Sequence, residues 1–283
     1  MSTAMCWTSS RLRVKSLLAI CWLLPLHNLS AHEGIASTLG WLDQQIEQAP
    51  ELQGLWVRRG ALLVDDGHLD AAQADLEHAR ALGEPVRVDC EWGHLQYQRG
   101  QFNIAAEALD RYLEQFPDDT RCRRLRAQAN VARRHNAAAL VDLRYLVEID
   151  TAPNPGLFLQ TADSVLAVDA SAIEPALAIL DDGISRLGVT PALQQRAIAL
   201  ETERHHLDAA IRRLKTLEQV EHRSPRWRLQ MAELQWRYGH IEEARTLLIS
   251  AERDINQLKP TPARRALQQR IAETSRQIAA ADG

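Results

Sequence analysis

The segment VDDGHLDAA, residues 64–72, gathers Asp65, Asp66, His68 and Asp70 around Gly67. Carboxylates beside an imidazole are the groups of general acid–base catalysis and of divalent-metal binding. His68, His135, His206 and His240 are 67, 71 and 34 residues apart, close to multiples of one spacing. That recurrence admits a second chemistry, multivalent metal binding or acid sensing along one edge. Cys90 and Cys122, 32 residues apart, add thiol chemistry. Familiar catalytic patterns are missing: the chain has no GxSxG, HExxH, CxxC or phosphate-loop motif.

Whether these side chains converge depends on the elements that carry them. A chain of 283 residues suffices for one large domain or an array of small units. Its 46% hydrophobic and 25% charged content is that of an ordinary soluble protein. A formal net charge of −4 lacks the basic surface that nucleic-acid binding needs. Lys15, Lys215 and Lys259 are the only lysines, a bias toward arginine that genomic base composition explains.

The N-terminus has the pattern of a targeting segment. Arg11, Arg13 and Lys15 form a basic region, and Ser16–Leu26 is an apolar run of 11 residues. Leu29-Ser30-Ala31 then offers a cleavage site. The run is short of the roughly 20 residues a bilayer span needs. Residues 1–31 are therefore read as a signal peptide, with an uncleaved interfacial anchor as the alternative. The reading predicts an exported protein, periplasmic in a bacterium, with no membrane span after cleavage. Cys6 and Cys21 would leave with the signal. Cys90 and Cys122 would remain in an oxidising compartment, as a disulfide or as two buried thiols. Cleavage would also expose His32, whose amine and imidazole could chelate Cu(II), although such a site needs further ligands.

A repeat organises the rest. Ala72, Ala105, Ala139, Ala176, Ala210 and Ala244 are separated by steps of 33, 34, 37, 34 and 34 residues. Most follow three positions after an apolar residue (Leu69, Phe102, Ile173, Leu207, Ile241), and Gly67, Gly100 and Gly239 precede three of those. His205 stands at the glycine position of another unit. Each unit reads as two helices, as in Glu51–Val64 and Leu69–Ala81, with apolar residues at i, i+3/i+4 and i+7. Pro50, Pro85, Pro117, Pro153, Pro155, Pro191, Pro225, Pro260 and Pro262 all fall at joins between units. Asn154, Thr190, Ser224 and Thr261 each precede a proline, the pattern of an N-cap followed by proline at N1.

Trp56, Gly60, Ala72 and Ala79 in the first unit, Gly93, Ala105 and Pro117 in the second, and Ala244 and Ala251 in the sixth carry a resemblance to the tetratricopeptide repeat (TPR), a 34-residue helix–turn–helix unit. The third and fourth units match by register more than by residue. The resemblance implies an all-α, right-handed superhelical solenoid of six repeats over residues 51–257. Residues 32–50, with an apolar stripe of Ile35, Leu39, Leu42 and Ile46, would cap its start. Residues 258–283, with a strongly polar face, would cap its end, since an uncapped repeat exposes its stacking surface. The 37-residue step places an insertion, and a hinge, at residues 150–156.

In such a solenoid the recurring histidines sit in the turns between paired helices. Neighbouring helices pack about 8–10 Å apart, whereas a Zn–N bond is about 2.0 Å. Successive rungs therefore do not share an ion. Asp65 and Asp66 at the end of a helix are read as solvated, because acids there oppose the helix dipole. The family binds peptides or proteins on a concave surface lined by the first helices. Carried over by register, that surface includes Arg87, His94, Tyr97, Arg121, Arg124, Gln128, Glu233, Trp236 and Arg237, with burial under the C-terminal cap as the alternative for Trp236. The arginines would receive an acidic or C-terminal peptide. The Lys and Asn clamp of some members is absent, since Val57 and Ala61 hold the matching positions in the first repeat. The expectation is a non-enzymatic scaffold, without catalytic residue, cofactor or metal, that binds a protein or peptide in the cell envelope. The alternatives are a metal-handling protein or enzyme using His32 or the turn histidines, and a solenoid that self-assembles through an open end.

Overall fold

The computed structural model describes residues 29–221 and 224–281, with side chains from residue 34 onward. The segment read as a signal peptide, residues 1–31, lies almost wholly outside the described residues, and so does the side chain of His32. The described residues form fourteen α-helices and no strand. Helix α1 (Leu29–Gln48) precedes six pairs: α2 (Gln53–Asp65) with α3 (Leu69–Leu82), α4 (Val86–Gln98) with α5 (Phe102–Gln115), α6 (Thr120–Ala132) with α7 (Asn136–Ile149), α8 (Pro155–Val168) with α9 (Ile173–Leu187), α10 (Pro191–Glu203) with α11 (Leu207–Val220), and α12 (Pro225–Arg237) with α13 (Ile241–Asn256). Helix α14 (Pro262–Ala281) closes the array. The second helices start at the same 33, 34, 37, 34 and 34 residue steps as the alanines.

Backbone hydrogen bonds build the turn inside each pair. Gly67 adopts φ +81°. The next residue, His68, donates its N–H to Leu63 O (2.8 Å), and its carbonyl accepts from Ala72 N (3.0 Å). Gln101, His135, His206 and His240 make the same two bonds. The left-handed position is glycine at 67, 100 and 239, but Arg134 (φ +62°) and His205 (φ +59°) occupy it elsewhere. A side chain there costs about 1–2 kcal/mol. The recurring histidine is thus the N-cap residue of a second helix, and it acts through its backbone. No imidazole caps the helix amides at His68, His135, His206 or His240.

Two of the four expected side-chain caps form. Asn154 accepts from Leu157 N (3.1 Å), and the Thr261 hydroxyl accepts from Arg264 N (3.2 Å). Thr190 and Ser224 sit at N-cap positions without a side-chain cap bond, and the Thr190 hydroxyl donates to Gly188 O instead (3.3 Å). Proline at N1, with φ already helical, starts those helices. The insertion expected at residues 150–156 is also distributed differently. Compared with the preceding repeat, the loop before α8, α8 itself and the α8–α9 turn are each one residue longer.

All six repeat alanines are fully buried. Four residues further on, Leu76, Leu109, Leu143, Leu180, Leu214 and Leu248 are buried as well and form a second ladder with the same steps. Residues four apart share a helix face. The alanine lets the paired helices close, and the leucine fills the space beside it. At Gly93 the approach is so close that an added Cβ would lie 2.6 Å from Leu109 Cγ.

Buried charge repeats too. Asp75 takes two hydrogen bonds of 2.7 Å from Arg59, and Asp142 takes two of 2.7 Å from Arg126 with a third from Arg123 (3.0 Å). Arg59 and Arg126 also reach back to Asp43 (2.6 Å) and Asp110 (2.9 Å) on the preceding helix. In the second repeat Asp89 on α4 is held by Arg80 and Arg111; in the sixth, Arg228 at the matching position of α12 is held by Glu218 and Asp254. The site is kept and its charges are exchanged. Removing one partner of such a buried pair strands the other, at a cost of about 3–5 kcal/mol.

Every helix packs on its neighbours in sequence. The backbones of α2 and α4, α4 and α6, and α8 and α10 also approach one another, while the second helices do not pair this way. Closer approach in one row curves the stack with the first helices inside. Leu42 and Ile46 of α1 are buried at one end, with Ile35 and Leu39 half-buried. At the other end α14 buries Ile271, Thr274 and Ile278 and packs on both α13 and α12. It takes the place a further first helix would have.

Candidate binding surface

The inner row brings together side chains from three consecutive first helices. Arg121 on α6 donates to both carboxylate oxygens of Glu91 on α4 (2.5 and 2.8 Å). Its Nη2 lies 3.5 Å from Nδ1 of His94, and Asp65 at the end of α2 lies 3.8 Å from the same nitrogen. Burial, aided by Arg121, pushes the His94 pKa below its ordinary value against the opposing pull of Asp65 and Glu91. The imidazole is therefore neutral at neutral pH. The hydrogen bond to Glu91 holds the Arg121 guanidinium above its ordinary value. Beside this cluster Cys90 and Cys122 are joined in a disulfide, with their Cα atoms 5.8 Å apart. It links the first helices of two successive repeats.

The arginines expected to receive a ligand carboxylate already hold carboxylates of this chain. Arg87 pairs with Glu84 (2.7 Å), Arg121 with Glu91, and Arg124 with Asp150 (3.1 Å). Tyr97 is half-buried against Phe102, with ring centroids 5.5 Å apart. Gln128 is half-buried on α6. Trp236 packs against the Ile271 and Ile278 cluster beneath α14, and Arg237 is exposed. These two residues and Glu233 line a cavity of about 480 Å³ with Arg270, Thr274 and Gln277 of α14. The sequence reading missed the α14 residues, because no local pattern says which side chains of a closing helix will face the last repeat.

The VDDGHLDAA segment holds structural pairs. Asp66 is largely buried, with Oδ2 3.0 Å from His68 Nδ1, which corrects its expected solvated state. Asp65 is half-exposed at His94, and Asp70 accepts from Arg99 (2.6 Å) across to the next repeat. Among the described residues no group of three or more His, Cys, Asp or Glu is arranged to hold a metal ion. His205, His206 and His240 do line one surface cavity with Tyr238 and Arg212.

No protein-family model matches the chain, and no curated protein is detectably similar to it in sequence. Solved structures do resemble it. The C-terminal part of a TPR repeat-containing protein from Cytophaga hutchinsonii superposes with a TM-score of 0.64 at 11% identity, over 85% of this chain and 97% of that one. PilF of Pseudomonas aeruginosa gives 0.55 at 15% identity, over 73% and 93%. YrrB, described as a TPR protein with an unusual peptide-binding site, gives 0.54 at 14% identity, over 63% and 91%. The chain thus has the fold of the tetratricopeptide-repeat proteins, a solenoid of paired helices.

Proposed function

We propose that this protein is an exported scaffold that binds a protein or peptide partner in the cell envelope through the inner face of its solenoid. One observation carries the reading: first helices of successive repeats approach one another on one side of the stack, α2 with α4, α4 with α6 and α8 with α10, so side chains from separate repeats share one face. A surface of that kind suits an extended partner, whereas catalysis needs groups converging on one reacting atom. A peptide-binding site in YrrB supports the reading by analogy of fold. Export is supported by the basic and apolar N-terminal pattern and by the Cys90–Cys122 disulfide, since such bonds persist in oxidising compartments.

The test is site-specific photocrosslinking in the native host. A crosslinker at Gln128, on an inner helix, should capture a partner that one at Val141, exposed on α7, does not. Capture at Val141 alone would refute the inner-face assignment. Terminal sequencing of the protein from an envelope fraction should begin at His32; an intact Met1 in the cytoplasmic fraction would refute export.

A further inference from the structure

We infer that the cavity between α12 and α14 is the anchor for the partner, and that it takes an extended acidic segment in which an apolar side chain lies two residues from a carboxylate side chain. The inference rests on the inner-face reading and gives it a location and a ligand chemistry.

The polar groups of the cavity can be accounted for one by one. Arg270 donates to Glu233 (2.8 Å), the Thr274 hydroxyl to Arg270 O (3.0 Å), and the Gln277 amide to Glu273 (3.0 Å). Two donors are left without a partner among the described residues, the Arg237 guanidinium and the Trp236 indole N–H. The cavity thus carries two guanidiniums against one carboxylate, a net positive charge that selects an anion. Arg87, Arg121 and Arg124 offer no such surplus, because each is neutralised within the chain. Trp236 adds a half-buried aromatic wall, fixed by its packing on the cluster around Ile271 and Ile278. A rigid aromatic beside a guanidinium is the composition of an interface anchor.

The arrangement also indicates how the ligand groups are spaced. Trp236 and Arg237 are consecutive on a helix, so their side chains diverge by about 100°. Each can therefore hold a different group of the ligand, one apolar and one a carboxylate. In an extended chain, residues i and i+2 share a face about 6.5–7 Å apart. One can lie on Trp236 while the other reaches the exposed guanidinium at the cavity mouth. An internal segment fits this better than a chain terminus.

The experiment is selection from a random dodecapeptide library displayed with its C-terminus fused, using the protein with its signal removed. Selected peptides should be enriched in Asp or Glu two positions from an apolar residue. Arg237→Glu should switch that enrichment to Lys or Arg, and Trp236→Ala should weaken a selected peptide at least 10-fold, with helical content unchanged by circular dichroism. Selected peptides without acidic bias, or bound equally by Arg237→Glu, would overturn the anchor while leaving inner-face binding in place. Binders from a parallel library with free C-termini, where the fused library gives none, would overturn the side-chain assignment. No binder from either library would remove both readings.

Discussion

At His94 the protein holds a neutral imidazole between Asp65, Glu91 and Arg121. Its folded pKa lies below the unfolded value of about 6.5, so between the two the unfolded chain binds more protons. The contribution of this residue is therefore complete above pH 6.5 and is lost as pH falls through the folded value. Urea midpoints measured from pH 8 to pH 5 should decline, and His94→Gln should flatten part of that decline; an identical slope in the variant would contradict the burial argument. The neighbouring disulfide acts mainly on the unfolded chain by closing a loop of about 30 residues. Its removal by the Cys90→Ala, Cys122→Ala pair should lower stability by about 2–4 kcal/mol. Chemical denaturation with and without reductant would measure this, and the pair variant should be insensitive to reductant.

Between elements, the alanine and leucine ladders set how closely paired helices approach. Gly93→Ala would drive a methyl group into Leu109 and should cost about 1–3 kcal/mol. The same change at Gly54, where an added Cβ meets nothing within 4 Å, should cost nothing and lowers no melting temperature. Thermal melts of the two variants test this directly. The alanine ladder was legible in the sequence, because a helix pair tolerates only a small residue there. The leucine ladder has the same period, but leucine is common enough that the period does not stand out until the helix faces are known. Pairings such as Arg59–Asp75 and Arg126–Asp142, each 16 residues apart, repeat too irregularly to find, since the second and sixth repeats exchange the signs at a different position.

For the whole molecule, the ends decide solubility. Ending the chain at Leu258 would remove α14 and uncover the face formed by Leu229, Ala232, Leu248 and Ile255. A solenoid without its cap exposes a stacking surface. The truncated protein should self-associate, seen as a concentration-dependent rise in light scattering, and should melt at lower temperature. A monodisperse truncation with unchanged melting would mean that α14 is not a cap. The same helix supplies half of the candidate anchor, so truncation should also abolish capture of any peptide that depends on Arg237.

The sequence by itself determined the repeat, its register and the helix pairs, because small residues, turn glycines and prolines act locally and recur at the period of the unit. It also determined which positions belong to the first helices. Only the tertiary structure decided which of those positions remain available. Arg87, Arg121 and Arg124 are spent on Glu84, Glu91 and Asp150, and in the last two cases the partner lies 30 and 26 residues away in sequence. Arg237 stays free beside Trp236 because α14 folds back to form a cavity wall without offering it an acid. Ion pairing depends on distances between separate helices, and those are fixed by packing, which a one-dimensional period does not encode.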